Sequence, residues 1–195
     1  MFVPSMFQMS DPTELHAFMR LHGFAILVTH GTSGMVATHL PLHFDASAGP
    51  HGALLGHMAR ANPQWRDIAG EAMAIFSGPH AYISPTWYET PGNVPTWNYV
   101  AVHAYGNLQI IEDNKSLHDI LTRTASFYEQ GMPKPWSYDI GDPGIVGFRI
   151  EISRLEGKAK LNQNHPEERR LKVIRALEVQ HSENSQSVAK LMAAR

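Results

Sequence analysis

Three stretches of this 195-residue chain concentrate groups able to do chemistry. The first is Gly56-His57-Met58-Ala59-Arg60-Ala61-Asn62-Pro63, where a strand-like run ends in Arg60 just before a helix-starting Asn-Pro pair. A guanidinium beside the free N–H groups of a helix start makes an anion site. A solvated arginine and a capping asparagine account for the same residues equally well. The second is Val94-Pro95-Thr96-Trp97-Asn98-Tyr99, preceded by Gly78 to Glu89 with His80, Tyr82, Trp87 and Tyr88. Trp and Tyr interleaved with Asn and His suit a planar heteroaromatic ligand, which needs flat apolar walls and a few edge hydrogen bonds, or an aromatic contact between subunits. An aromatic core with satisfied polar tips is the bland alternative. The third is Gly157-Lys158-Ala159-Lys160-Leu161-Asn162-Gln163-Asn164, whose lysines and amides offer several donors to a phosphate or a ring carbonyl edge. Taken alone, it also reads as a solvated loop.

Other chemistries find little support. The chain has 12 histidines and no cysteine, so disulfides, zinc ribbons, iron–sulfur clusters and thiol nucleophiles drop out. His39 and His43 share a face of one strand but stand ~13 Å apart at about 3.3 Å per residue, too far to grip one ion. No His-Glu-x-x-His is present, and no protein-bound metal is expected. Gly-x-Ser-x-Gly, Gly-x-Gly-x-x-Gly and the phosphate-binding Gly-x-x-x-x-Gly-Lys-Ser/Thr loop are absent as well.

The elements that must position these groups follow from periodicity. Strands are expected at Phe24 to Thr29, Met35 to Phe44, Ala53 to Met58, Glu71 to Ser84 with a bulge or kink at Gly78-Pro79, Trp97 to Ile111, and a half-buried sixth through Phe148, Ile150 and Ile152. Helices are expected from Asp11-Pro12 to Gly23, briefly from Asn62-Pro63 through Ile68, through Leu117 to Phe127, and after Pro166, followed by a weaker helical tail. The Pro/Gly-rich stretch Met132 to Gly144 reads as a loop. Few helices between six strands favour a mainly β, six-stranded antiparallel barrel, closed or split, with peripheral α-helices, over an alternating βαβ sheet. One domain over residues 1–195, with C-terminal helices from about 165, is the expected organisation.

With 43% apolar and 17% charged residues the chain can bury a core. It carries no apolar run of ~20 residues and no signal-peptide pattern at its start, so a cytoplasmic home without a membrane is expected. A net charge of -2 supplies no general basic field for nucleic acid.

The three stretches in this order, together with Met1-Phe2-Val3-Pro4 and Thr38-His39-Leu40-Pro41, resemble the PaiB family of FMN-binding negative transcriptional regulators from Met1 to about Arg175. Trp97-Asn98-Tyr99 and Lys160-Leu161-Asn162-Gln163-Asn164 are the most specific pieces, with Asn162 standing where the pattern expects serine. The resemblance implies a split barrel similar to the pyridoxamine-phosphate-oxidase-like flavoproteins, a homodimer, and FMN at the subunit interface. It implies phosphate contacts from Thr38, His39, Arg60, His57 and Asn62, and ring contacts from Trp97, Asn98 and Tyr99 with Lys160, Gln163 and Asn164. Direct DNA binding is left open: no helix-turn-helix is visible, and Arg169, Arg170, Lys172 and Arg175 are balanced by Glu167, Glu168 and Glu178. Two other readings stand beside the regulator. One is an FMN-dependent oxidoreductase on a small molecule, with His39, His57 or His103 as proton donor; the other is a heme-binding split barrel.

Overall fold

Side-chain alternation dictates the strands, and each place where the alternation fails marks a change of neighbour. The computed structural model describes residues 1–137 and 144–195; residues 138–143 of the expected Pro/Gly-rich loop lie outside the described residues. The strands are β1 (Gln8–Met9), β2 (Phe24–Gly31), β3 (Gly34–Asp45), β4 (Ala53–Ala59), β5 (Glu71–Ile83), β6 (Thr96–Ile111) and β7 (Ile145–Lys160). The helices are α1 (Pro12–Leu21), α2 (Asn114–Glu129), α3 (Glu167–Glu178) and α4 (Glu183–Ala193), with 3-10 turns at Ser5–Phe7, Pro63–Arg66 and Pro85–Tyr88. The sheet runs β1-β7-β4-β3-β2-β5-β6, and β6 also pairs with β7. The six long strands therefore close into a barrel, and every pairing with a defined register is antiparallel. Closure removes the edges that an open sheet would leave to pair with other chains. Among the described residues no helix is long and apolar enough to cross a membrane.

Chain contacts separate two compact units, and β5, β6 and β7 each contribute to both. The larger unit, Pro12–Phe76 with His103–Leu155, holds β2, β3, β4, α1 and α2. Its strands bury one face: Leu27, Leu40, Leu42, Phe44, Leu54, Phe76, Phe148 and Ile150 are all nearly inaccessible. Cross-strand partners share a face. Hence Leu42, Gly56 and Phe148 point inward while His43, Leu55 and Arg149 point outward, toward the side where His43 meets Phe127 of α2 at 5.9 Å. Gly106 sits where β6 and β7 meet, and a Cβ there would fall 2.0 Å from the Glu151 carbonyl oxygen. Only glycine permits that approach. The α2 helix begins where the Asp113 side chain accepts from Ser116 N at 2.8 Å, and it buries Leu117, Ile120, Leu121 and Thr124.

The smaller unit, Met1–Asp11, Ser77–Val102 and Glu156–Arg195, packs α3 on α4 through Val173, Leu177, Val188 and Met192. Within β5 the buried positions change from even (Ala72, Ala74, Phe76) to odd (Ala81, Ile83). This is the one-residue slip of a bulge at Ser77-Gly78-Pro79, and it coincides with the boundary between the units. Three features depart from the sequence reading. The helix expected from Asn62-Pro63 through Ile68 is a 3-10 turn over Pro63–Arg66. Strand β1 is two residues long, too short to show a period. Strand β7 extends to Lys160, so Gly157-Lys158-Ala159-Lys160 is strand and not exit loop; β1 lies beside it, pairing Gln8 with Lys158 and Met9 with Gly157.

In the larger unit the β2–β3 turn is fastened by Asp67, whose carboxylate accepts from Thr32 N at 2.8 Å, Ser33 N at 2.9 Å and Thr32 Oγ1 at 3.0 Å. These bonds favour the charged form and hold its pKa at about 2, below the ordinary 3.8. A depressed carboxyl contributes stability above its unfolded pKa and loses it as pH falls through the folded one. In urea denaturation at pH 5, 3 and 2, Asp67→Asn is expected to be less stable than wild type at pH 5, with the difference shrinking between pH 4 and 2.

Candidate functional site

In the larger unit, Asn62 ends the turn after β4 as the cap of the Pro63–Arg66 3-10 turn, its Oδ1 accepting from Gln64 N at 3.0 Å. That turn inserts Gln64, which is 2% exposed, against the inner face of β2 and β3. Gln64 Nε2 donates to Thr29 Oγ1 at 3.0 Å, Val36 O at 3.2 Å and Leu27 O at 3.3 Å, and its Oε1 accepts from Thr38 Oγ1 at 2.5 Å. Asn62 Nδ2 donates to the same Thr38 hydroxyl at 3.0 Å. Thr38 and Asn62 are thus brought together, joined by a glutamine that the sequence reading missed. The available signal was a long amide one residue after Asn-Pro, beside strands carrying inward threonines.

Parity separates the other three candidates of this unit. His39 follows Thr38 in an extended strand, so it points outward; it is exposed and lies 6.3 Å from the Phe24 ring. His57 also points outward, opposite Gly147, and its Nδ1 is buried without a hydrogen-bond partner among the described residues. Burial pushes His57 below the usual histidine range and so favours the neutral ring. Arg60 N donates to Gly144 O at 2.7 Å, and the guanidinium donates to Glu112 Oε1 at 3.0 Å and Ile145 O at 3.2 Å. An incoming anion would have to compete with Glu112 for this arginine.

In the smaller unit, β6 turns Trp97 and Tyr99 to one face and Asn98 to the other. Trp97 is 53% exposed and contacts Tyr82, itself 46% exposed, edge-on at 6.0 Å, and His80 at 6.2 Å. Lys160 Nζ donates to Thr96 Oγ1 at 2.6 Å and Trp97 O at 2.9 Å. An ammonium has three protons, and these two bonds leave one. Burial, and secondarily the charge of Lys158, pull Lys160 below the ordinary lysine range. Lys158 Nζ stands 5.2 Å from the centre of the Tyr99 ring and donates to Phe2 O at 3.1 Å. Lys158 was readable as a partner of Lys160, because residues two apart in a strand share a face. The arrangement is an exposed Trp97–Tyr82 surface with the Lys160 ammonium at its backbone edge and Lys158 nearly buried beside Tyr99, suited to a planar, electron-rich ligand.

The remaining candidates lie elsewhere. Asn98 is fully buried, its Nδ2 against Met192 Sδ at 3.3 Å and its Oδ1 without a hydrogen-bond partner among the described residues. Gln163 folds back on its own backbone, accepting from Leu161 N at 2.7 Å and donating to Ala159 O at 2.6 Å. Asn164 is exposed. Asn162, the departure from the family pattern, has φ 63 and donates to Tyr88 Oη at 2.9 Å, while Tyr88 stacks on His165 at 4.7 Å. Asparagine tolerates the left-handed region better than serine, and its longer amide reaches the phenol. Asn162→Ala is expected to destabilise by about 2 kcal/mol in denaturant unfolding, combining backbone strain with a lost buried hydrogen bond. Asn162→Gly, which relieves only the strain, is expected to fall between that variant and wild type.

Residues 1–154 match the family model described as "Putative FMN-binding domain". The chain is 36% identical to the Bacillus subtilis "Protease synthase and sporulation protein PAI 2", over 98% of this chain and 96% of that protein. It is 32% identical to an uncharacterised protein of Emericella nidulans, over 65% of this chain and 68% of that one. Its fold is similar to that of the FAD and heme binding protein from Mycobacterium smegmatis, with a TM-score of 0.62 at 12% identity, covering 78% of this chain and 73% of the other. It is also similar to a flavocytochrome from Azotobacter vinelandii, with a TM-score of 0.62 at 11% identity, covering 78% and 69%. At such identities the likeness concerns the fold, a split barrel. By its family model and its full-length relative, the chain belongs to the PaiB family of FMN-binding split-barrel proteins, with FMN as the cofactor that membership supports.

Proposed function

We propose that the Trp97–Tyr82–Lys160 face of the smaller unit receives the FMN ring, and that the protein is a homodimeric flavoprotein acting in negative regulation. The observation that carries the ring assignment is the exposed Trp97–Tyr82 surface with the Lys160 ammonium bonded to the Trp97 carbonyl at its edge. The donor set fits the group: flat walls for the isoalloxazine, and a spare ammonium proton for its carbonyl edge. FMN supplies two-electron redox chemistry when bound, and the chain's part is to hold the ring and set the charge around it. For the phosphate the contact proposed within the larger unit is Arg60; Thr38 and Asn62 are held in the inner Gln64 network, and His39 and His57 lie on the opposite face. Arg60 offers the strongest, charge-assisted bonds, in exchange for those to Glu112.

The homodimer is supported by β3. Its second half alternates buried and open, but from Met35 to Ala37 the strand is open on both faces, with Met35 73% exposed, Val36 39% exposed and neighbouring Phe24 68% exposed. A strand with apolar residues uncovered on both sides fits a surface that another chain covers. The regulatory role is suggested by the similarity to the Bacillus subtilis "Protease synthase and sporulation protein PAI 2". Indirect action suits the helices: Lys172 pairs with Glu89 at 3.0 Å and Glu168 at 3.3 Å, and Arg170 donates to Met192 O at 3.0 Å, so this basic group is engaged within its own unit.

A visible spectrum of the freshly purified protein is expected to show the two-band absorption of oxidised flavin, whereas a Soret band would favour heme. Lys160→Met is expected to lower the midpoint potential of bound FMN by about 30 mV or more, because a lost positive charge destabilises the anionic reduced ring. An unchanged potential in a flavin-loaded variant would remove Lys160 from the ring's edge.

A further inference from the structure

A concavity that the flavin reading leaves unused lies within the larger unit, on the outer side of the barrel beneath the first half of α2. It is an open cleft of about 530 Å³. Its apolar floor is Leu55 from β4, Ile111 from the end of β6 and Ile120 from α2. Three cations border it, Lys115, Arg123 and Arg149, against two carboxylates, Asp45 and Asp119.

The charges do not cancel evenly. Arg123 takes both carboxylates, Asp119 at 2.9 Å through Nε and Asp45 at 3.4 Å through Nη1. Asp45 is further occupied by Ser47, whose N and Oγ donate to it at 2.9 Å and 2.6 Å, and it is held below the usual carboxylate range. Arg149 pairs with Glu151 at 3.7 Å through Nε, beyond hydrogen-bond range, and its charge also acts on Asp45. Its terminal nitrogens make no hydrogen bond to a described residue. Lys115, in the first turn of α2, has no ion pair among the described residues either. Lys115, without an ion pair among the described residues, and Arg149, whose terminal nitrogens make no hydrogen bond to a described residue, therefore line an apolar trough next to the positive end of a 16-residue helix.

We infer that this cleft is a second ligand site, separate from the flavin surface, and that it takes a small amphiphilic anion. The acid group sits between Arg149 and Lys115, and the apolar body lies on Leu55, Ile111 and Ile120. A planar guanidinium matches a carboxylate or phosphate monoester in two parallel bonds, and burying an alkyl chain on the floor supplies the remaining affinity. The trough is of the size that small-molecule sites usually have.

The test titrates the FMN-loaded protein with octanoate by calorimetry, with 1-octanol and inorganic phosphate in parallel. Saturable octanoate binding is expected, with both control compounds at least roughly tenfold weaker, the equivalent of one charge-assisted hydrogen bond or a few buried methylenes. Arg149→Met is expected to weaken octanoate about tenfold, and Leu55→Trp, which fills the floor, to abolish saturation. Leu55→Trp can disturb folding, so Arg149→Met, a substitution of a partly exposed side chain, decides the case, with FMN content and thermal unfolding as controls. Absence of saturable octanoate binding, equal binding by Arg149→Met, or inorganic phosphate binding as tightly as octanoate would overturn the assignment.

Discussion

Everything functional in this chain depends on one constraint: successive side chains of an extended strand point to opposite sides. A barrel wall therefore spends every second residue on its interior and has only the others for a ligand or a partner. In β6, Asn98, Val100, Val102 and Ala104 are buried, and Trp97 and Tyr99 are turned outward as a consequence. In β3 the same rule puts Thr38 on the inner network with Gln64 and leaves His39 open beside Phe24. The chemistry of the surface is inherited from the packing of the core.

Polar groups placed on the buried side need local partners, and the chain supplies them from turns. Gln64 gathers four partners from two strands, because a buried amide with unused donors would be strongly destabilising. Asn162 does similar work in the smaller unit, joining a left-handed turn to Tyr88. Asn98 is the exception, with a sulfur as weak acceptor for its amide and an oxygen without a hydrogen-bond partner among the described residues. A carbonyl left unsatisfied in a core is uncommon, and the cost is set against whatever favours asparagine between Trp97 and Tyr99.

The long strands, the helix starts and the bulge at Gly78-Pro79 were legible in the sequence, because alternation, Asn-Pro and Asp-Pro pairs and the Gly-Pro break each have a direct backbone cause. Strand β1 was illegible for want of length, and the Lys158-Lys160 end of β7 because lysines mimic a loop until a neighbouring strand is known. The motif segments were found as segments, but their members were grouped by adjacency. Applying the two-residue period inside each motif would have separated Asn98 from Trp97 and His39 from Thr38, and would have joined Lys158 to Lys160. Gln163's fold back onto Leu161 and Ala159, and the pairing of Arg60 with Glu112 from 52 positions away, are tertiary facts that no local period encodes.

The claim most exposed to test is that the flat face around Trp97 holds the flavin ring. Titrating FMN into apoprotein and comparing wild type with Trp97→Ala measures it directly. If the ring lies there, losing the stacking surface should weaken FMN by roughly tenfold or more, in line with about 1 to 3 kcal/mol for a base on an aromatic side chain. Equal dissociation constants for the two proteins, with the fold intact, would place the ring elsewhere and contradict the account.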